Sequence, residues 1–197
     1  MKPVYTRSLI IEFPQLFRHA RPGSNSTMIY GIAIGNGWYD ILYQLCVGIQ
    51  RRAVEHRVEP PAFDQIKEKF GGLRVHMFGS KDYRDLIELA EKQAWKTCEH
   101  CGAPGTLRQE GWHHVSCDRC ETDRERIQLE GMVAYNQLEK AGGIKKVIEE
   151  AFAEVDAKSK CECGINKDVC ERTARHDPDI CQRVAAVRAA KAGVEDE

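Results

Sequence analysis

Cys98-Glu99-His100-Cys101-Gly102-Ala103-Pro104-Gly105, followed after a short polar stretch by Gly111-Trp112-His113-His114-Val115-Ser116-Cys117-Asp118-Arg119-Cys120, decides how the fold is read. Two residues between paired cysteines let one tight turn aim both thiols at a common point. Fifteen residues separate the two pairs, which is a zinc-ribbon interval. Four thiolates suit Zn2+, which has no geometric preference of its own and takes them tetrahedrally. Four cysteine ligands also leave no coordination position for water or substrate, so the expected zinc is structural. Gly102 relieves the backbone just after the first pair. The competing reading is a set of buried or redox-active thiols paired by coincidence. His100, His113 and His114 are expected to support the site or face solvent, because Cys98, Cys101, Cys117 and Cys120 already suffice as ligands. Trp112, His113 and His114 form a candidate recognition surface, although a tryptophan in so small a module is more often a packing residue.

Upstream of the cysteines, Thr27 to Ile34 is rich in β-formers and ends at Gly35-Asn36-Gly37, so a strand and a turn are expected. Trp38, Ile41, Leu42, Leu45, Cys46, Ile49 and Ala53 then recur at helical spacing, with Asn36 as the expected cap. Cys46, on the apolar face, reads as a buried free thiol. Glu59-Pro60-Pro61 closes this unit. Phe63 to Phe70 reads as a short charged helix ended by Gly71-Gly72, and Leu73 to Phe78 alternates as a half-buried strand does. A second amphipathic helix runs from Tyr83 to Trp95 and delivers the chain to Cys98. Lys67, Lys69 and Arg74 around the glycine turn present a candidate anion site. The alternative is a solvated face with Arg74 paired to a carboxylate such as Glu68.

Downstream, Thr122 with Glu125 is a capping box, which predicts a helix to about Lys140. Gly142-Gly143 stops it, and Ile144 to Val155 marks another amphipathic helix. Beyond a polar linker, Cys161, Cys163, Cys170 and Cys181 offer a second set of four thiols, with His176 as an alternate ligand. So short and polar a segment buries little apolar surface, and a second Zn2+ would offset its ordering entropy. The same cysteines also read as free thiols in a tail or against the main body. Asp177-Pro178 opens a last helix with Ile180, Val184 and Val187 on one side.

These elements predict an α+β protein: a small sheet packed with amphipathic helices, a zinc-ribbon-like four-cysteine module and a helical, Cys-rich C-terminal region. The expected units are residues 1–96 as the α+β body, 97–121 as the module, 122–156 as a helical hairpin and 157–197 as the Cys-rich segment. The chain has 197 residues, 42% hydrophobic and 30% charged, with a formal net charge of -1. That balance argues against a protein that wraps nucleic acid over its whole surface. No run approaches the ~18 apolar residues of a membrane span, and the first residues do not form a signal peptide. A soluble, cytoplasmic protein is expected. Nine cysteines in a reducing compartment point to metal rather than disulfides. HExxH, GxSxG and P-loop patterns are missing, which weighs against an enzyme.

Three strings together resemble a family of small proteins encoded by tailed bacteriophages and prophages. They are Gly35-Asn36-Gly37-Trp38-Tyr39-Asp40-Ile41-Leu42; Gln65-Ile66-Lys67-Glu68-Lys69-Phe70-Gly71-Gly72-Leu73-Arg74; and Cys98-x-x-Cys101-Gly102-x-Pro104-Gly105 with Gly111-Trp112 and Ser116-Cys117. The resemblance covers about residues 9–120 and leaves the tail beyond Cys120 outside the pattern. It implies an accessory protein in the bacterial host cytoplasm and no particular activity. The expected function is therefore binding of a host or phage protein, in host takeover or counter-defence. A nucleic-acid-binding regulator is the alternative. A small hydrolase or nuclease near the Lys67-to-Arg74 segment is the second alternative.

Overall fold

The computed structural model describes residues 1–157. Cys161, Cys163, Cys170, Cys181 and His176, the expected second metal set, lie outside the described residues, as does the last helix. The described chain is α+β, with six helices and two antiparallel two-stranded sheets. In order these are α1 (Pro3–Glu12), α2 (Tyr39–His56), β1 (Phe63–Lys69), β2 (Gly72–Met77), α3 (Arg84–Ala94), β3 (Thr106–Arg108), β4 (His114–Ser116), α4 (Asp118–Thr122), α5 (Arg124–Lys140) and α6 (Gly143–Ala157). Among the described residues no helix is long and apolar enough to cross a membrane.

The core gathers where the sequence pattern places it. Ile41, Leu42, Leu45, Cys46 and Ile49 of α2 are buried together with Trp38, Ile66, Leu73 and Val75. Leu9, Ile10, Phe13 and Phe17 join them from the first residues of the chain. α1 begins with proline at its first turn, where a missing N–H costs nothing. α6 lays Ile148, Ala151 and Phe152 into the same core, and Arg7–Glu154 and Arg21–Asp156 ion pairs tie it to the N-terminal segment. Cys46 is a fully buried free thiol, and burial pushes it well above its ordinary pKa. Leu45→Ala is expected to lower the unfolding free energy by about 2–5 kcal/mol in a denaturant titration, the range for a large truncation in a packed core.

Four expectations are corrected. The segment Phe63–Lys69 is a strand, not a helix. Its register slips between Phe63 and Gln65, so Phe63 and Ile66 both face the core. A bulge of this kind gives a strand the i, i+3 apolar spacing of a helix. Thr27–Tyr30 is a 3-10 turn rather than part of a strand. Ser26 accepts a hydrogen bond from the Met28 N–H at 3.2 Å, and Gly31 ends the turn with φ +84°. Only Ala33 of that stretch pairs with β1, receiving the Glu68 N–H at 2.9 Å and donating to the Ile66 carbonyl at 3.0 Å. The Thr122 capping box does not form either: the Thr122 hydroxyl donates back to Asp118 in α4, and α5 starts without a side-chain cap. Asn36, expected as the cap of α2, instead accepts the Lys2 N–H at 2.7 Å and opens a 3-10 turn before the helix.

α5 differs from its neighbours. None of its 17 residues is buried, and Leu129, Met132, Val133 and Tyr135 are exposed.

Candidate metal centre

Each cysteine pair is aimed by a local turn. In the first, the Cys98 N–H donates to Ala103 at 2.7 Å and the Gly102 N–H returns to Cys98 at 2.9 Å. The chain reverses at Gly102 with φ +79°, a conformation that favours glycine. In the second, Cys117 is the residue before α4, and its sulphur accepts the Cys120 N–H at 3.5 Å. The short β3–β4 ladder, Thr106↔Ser116 to Arg108↔His114, spans the interval and brings the pairs face to face.

The four sulphurs lie within 4.8 Å of one another, and Cys101 and Cys117 are 3.7 Å apart. Metal–sulphur bonds of about 2.3 Å at tetrahedral angles would place sulphurs about 3.8 Å apart. A disulfide would need about 2.05 Å, and all four thiols are free. The arrangement is therefore compatible with one metal ion held by four cysteines. Its electrostatics point the same way. The Cys120 N–H, first among its hydrogen bonds, draws the Cys117 thiol down to about 7. Cys120 is pushed well up by burial and by the sulphurs crowded around it. Four thiolates at this spacing repel one another, and a divalent cation removes the conflict.

The other two sequence strings close around this centre. The Trp38 indole N–H donates to Thr97 at 2.8 Å, the Gly37 N–H to the Glu99 carbonyl at 2.7 Å, and the Gly35 N–H to the Glu99 carboxylate at 2.9 Å. Burial raises the pKa of that carboxyl, although its bond to Gly35 works against the rise. A β-carbon on Gly37 would stand 2.2 Å from the Cys98 carbonyl oxygen and 2.4 Å from the Gly102 nitrogen. The glycine turn is thus a docking surface for the first cysteine pair. On the other side, Gly71 presses on Leu107 and on the backbone of His114.

His114 is buried, which fits a supporting role and takes it out of the candidate recognition surface. Its Nδ1 lies 2.8 Å from the Trp112 carbonyl and its Nε2 2.7 Å from Glu121. The Ser116 hydroxyl donates to the same Glu121 oxygen at 2.7 Å. These two partners, His114 first, hold the Glu121 carboxyl below its ordinary range. Glu121 follows Cys120 directly, so the network fixes the second pair against β4.

Trp112 departs from its packing expectation: it is 69% exposed. His113 is half-buried in the same loop. Lys67 and Arg74 stand opposite each other across β1 and β2, with Lys69 exposed beyond them. The expected Arg74–Glu68 pair does not form. Arg74 donates to the Leu73 carbonyl at 2.7 Å, and Glu68 accepts the Gly71 N–H at 2.5 Å. Sequence reasoning missed Glu99, Glu121 and Phe70. The first two are ordinary surface residues by type, and only the contact of segments far apart in the chain gives them work. Compared with known proteins, the chain matches no family model, no curated protein and no solved structure.

Proposed function

We propose that this chain is a zinc-stabilised binding protein, an accessory protein of the tailed-phage type that acts by occupying a host or phage protein in the bacterial cytoplasm. Zinc is the metal because a closed set of four thiolates suits it and leaves no position for substrate. The centre then works as a clamp that holds the glycine turn, the β1–β2 hairpin and the start of α5 in one body. In the segment considered for hydrolysis, the Glu68 carboxylate is taken up by the hairpin turn.

The observation that carries the binding reading is α5. A 17-residue helix with no buried side chain gains little from tertiary packing, the main source of helix stability in proteins. Gly131 in its middle weakens it further. Exposed Leu129, Met132 and Val133 recur at helical spacing, the pattern of a helix that enters an apolar groove of a partner protein. The test is affinity purification of the tagged protein from phage-infected cells, with the double variant Met132→Glu, Val133→Glu as control. A stoichiometric partner that is lost from the variant, at unchanged metal content and melting temperature, is the expected result. An identical set of proteins with both chains would remove α5 as the docking element.

A further inference from the structure

The β1–β2 hairpin ends in a turn that its own sequence does not favour. Phe70 and Gly71 link the paired residues Lys69 and Gly72 and have φ of +55° and +81°. Two successive left-handed residues define the type I′ hairpin turn, whose preferred residues are Asn-Gly. A bulky side chain in that first position is an outlier. Glu68 braces the turn by accepting the Gly71 N–H, but the Phe70 side chain itself gains no burial from its position, being 62% exposed. Strain of this kind persists where the displayed side chain has a use.

The surroundings of Phe70 are cationic. Lys67 lies directly opposite Arg74, an arrangement of like charges that is unfavourable in a sheet. The Lys69 ammonium is 5.4 Å from the centre of the Phe70 ring. Among the described residues, Lys67, Lys69 and Arg74 form no ion pair. Gly71 rests on the His114 backbone, two residues from the exposed Trp112, so the two aromatics belong to adjoining loops. Of the nearby carboxylates, Glu68 is taken up by the turn and Glu91 accepts the Val75 N–H beside Arg74 at 3.4 Å, while Glu110, two residues before Trp112, is exposed and opposes an anion.

We propose that this surface binds single-stranded nucleic acid, with bases stacked on Phe70 and Trp112 and phosphates held by Lys67, Lys69 and Arg74. Exposed aromatics select unpaired bases because those of a duplex are already stacked on one another. Three cations make such binding modest in strength and sensitive to salt. The surface belongs to the hairpin and the β3–β4 loop and does not depend on the α5 reading.

The test is fluorescence anisotropy of a fluorescein-labelled oligothymidylate with the full-length, metal-loaded protein over a series of salt concentrations. Three phosphate contacts predict that log affinity falls with log salt at a slope of about -2, from about 0.7 per contact. Lys67→Ala or Lys69→Ala is expected to flatten that slope by about 0.7 each. Trp112→Ala is expected to weaken binding by about five- to a hundredfold, the usual effect of losing one stacking ring. Phe70→Asn gives the sharpest contrast: it suits the turn, so the melting temperature rises while oligonucleotide affinity falls. Met132→Glu, Val133→Glu leaves that affinity unchanged, which separates failure here from failure of the α5 reading. Undetectable or salt-independent binding overturns the proposal. So does a Phe70→Asn chain that binds the oligonucleotide as tightly as the parent, or one whose melting temperature does not rise.

Discussion

A chelator strong enough to strip the four-cysteine centre is expected to unfold residues 97–121 and to loosen α4 and the start of α5. The module has few other sources of stability. Its strands have three residues each, and a two-stranded hairpin is marginal in water without further packing. Val115 is its one buried residue of aliphatic type, beside Cys98, Cys120, His114 and Ser116. Structural zinc in small modules binds with about 10–16 kcal/mol, and that free energy is also folding free energy. Removing the ion further leaves four sulphurs within 4.8 Å of one another, each of which disfavours ionisation of the rest. Hydrogen exchange followed by mass spectrometry checks this. Protection across 97–121 should fall by orders of magnitude on chelation, while α2 and the β1–β2 hairpin keep most of theirs. Unchanged protection in chelated protein would mean that the ribbon stands on packing alone.

Gly37→Ala is expected to have the second largest effect. The added methyl meets only backbone: the Cys98 carbonyl oxygen at 2.2 Å, the Gly102 nitrogen at 2.4 Å and the Cys101 nitrogen at 2.8 Å. No side chain can swing aside to accommodate it, so the glycine turn and the first cysteine pair must separate. That movement breaks the Gly37–Glu99 hydrogen bond and draws Trp38 away from Thr97. The loss should reach or exceed about 3 kcal/mol, the upper end for overpacking, and metal affinity should fall with it. Gly131→Ala is a useful contrast, because a methyl there meets nothing within 4 Å and improves helix propensity by about 1 kcal/mol. Thermal melting and competition with a colorimetric zinc chelator measure both variants. Equal stability and metal affinity for Gly37→Ala and the parent would show that the turn does not dock on the cysteine pair as described.

What was legible in the sequence was mostly local. The C-x-x-C pairs could be read because two residues between thiols already fix a turn, and the interval between pairs fits one hairpin. The helices α2, α3 and α6 were legible because their apolar residues recur every three or four positions over several turns. Phe63–Lys69 was misread because a bulge brings Phe63 and Ile66 to one face, imitating that same periodicity. The Thr27–Ile34 strand failed for a different reason. Its β-forming composition meets a Ser26 cap and a left-handed Gly31, and local hydrogen bonding won over propensity. The least legible feature was the convergence of the three strings. Gly35 and Glu99 are 64 residues apart, and neither residue type advertises a contact. Once they meet, each glycine has a reason: Gly35 and Gly37 admit the first cysteine pair, and Gly71 admits the ribbon.

Elemental analysis of the full-length protein, purified without added metal, tests the central claim most directly. The four-cysteine centre predicts at least one zinc per chain, and Cys101→Ser together with Cys117→Ser should remove one equivalent from whatever the parent contains. Folded, monodisperse parent protein with no zinc, or a double variant that retains the full complement, would contradict it.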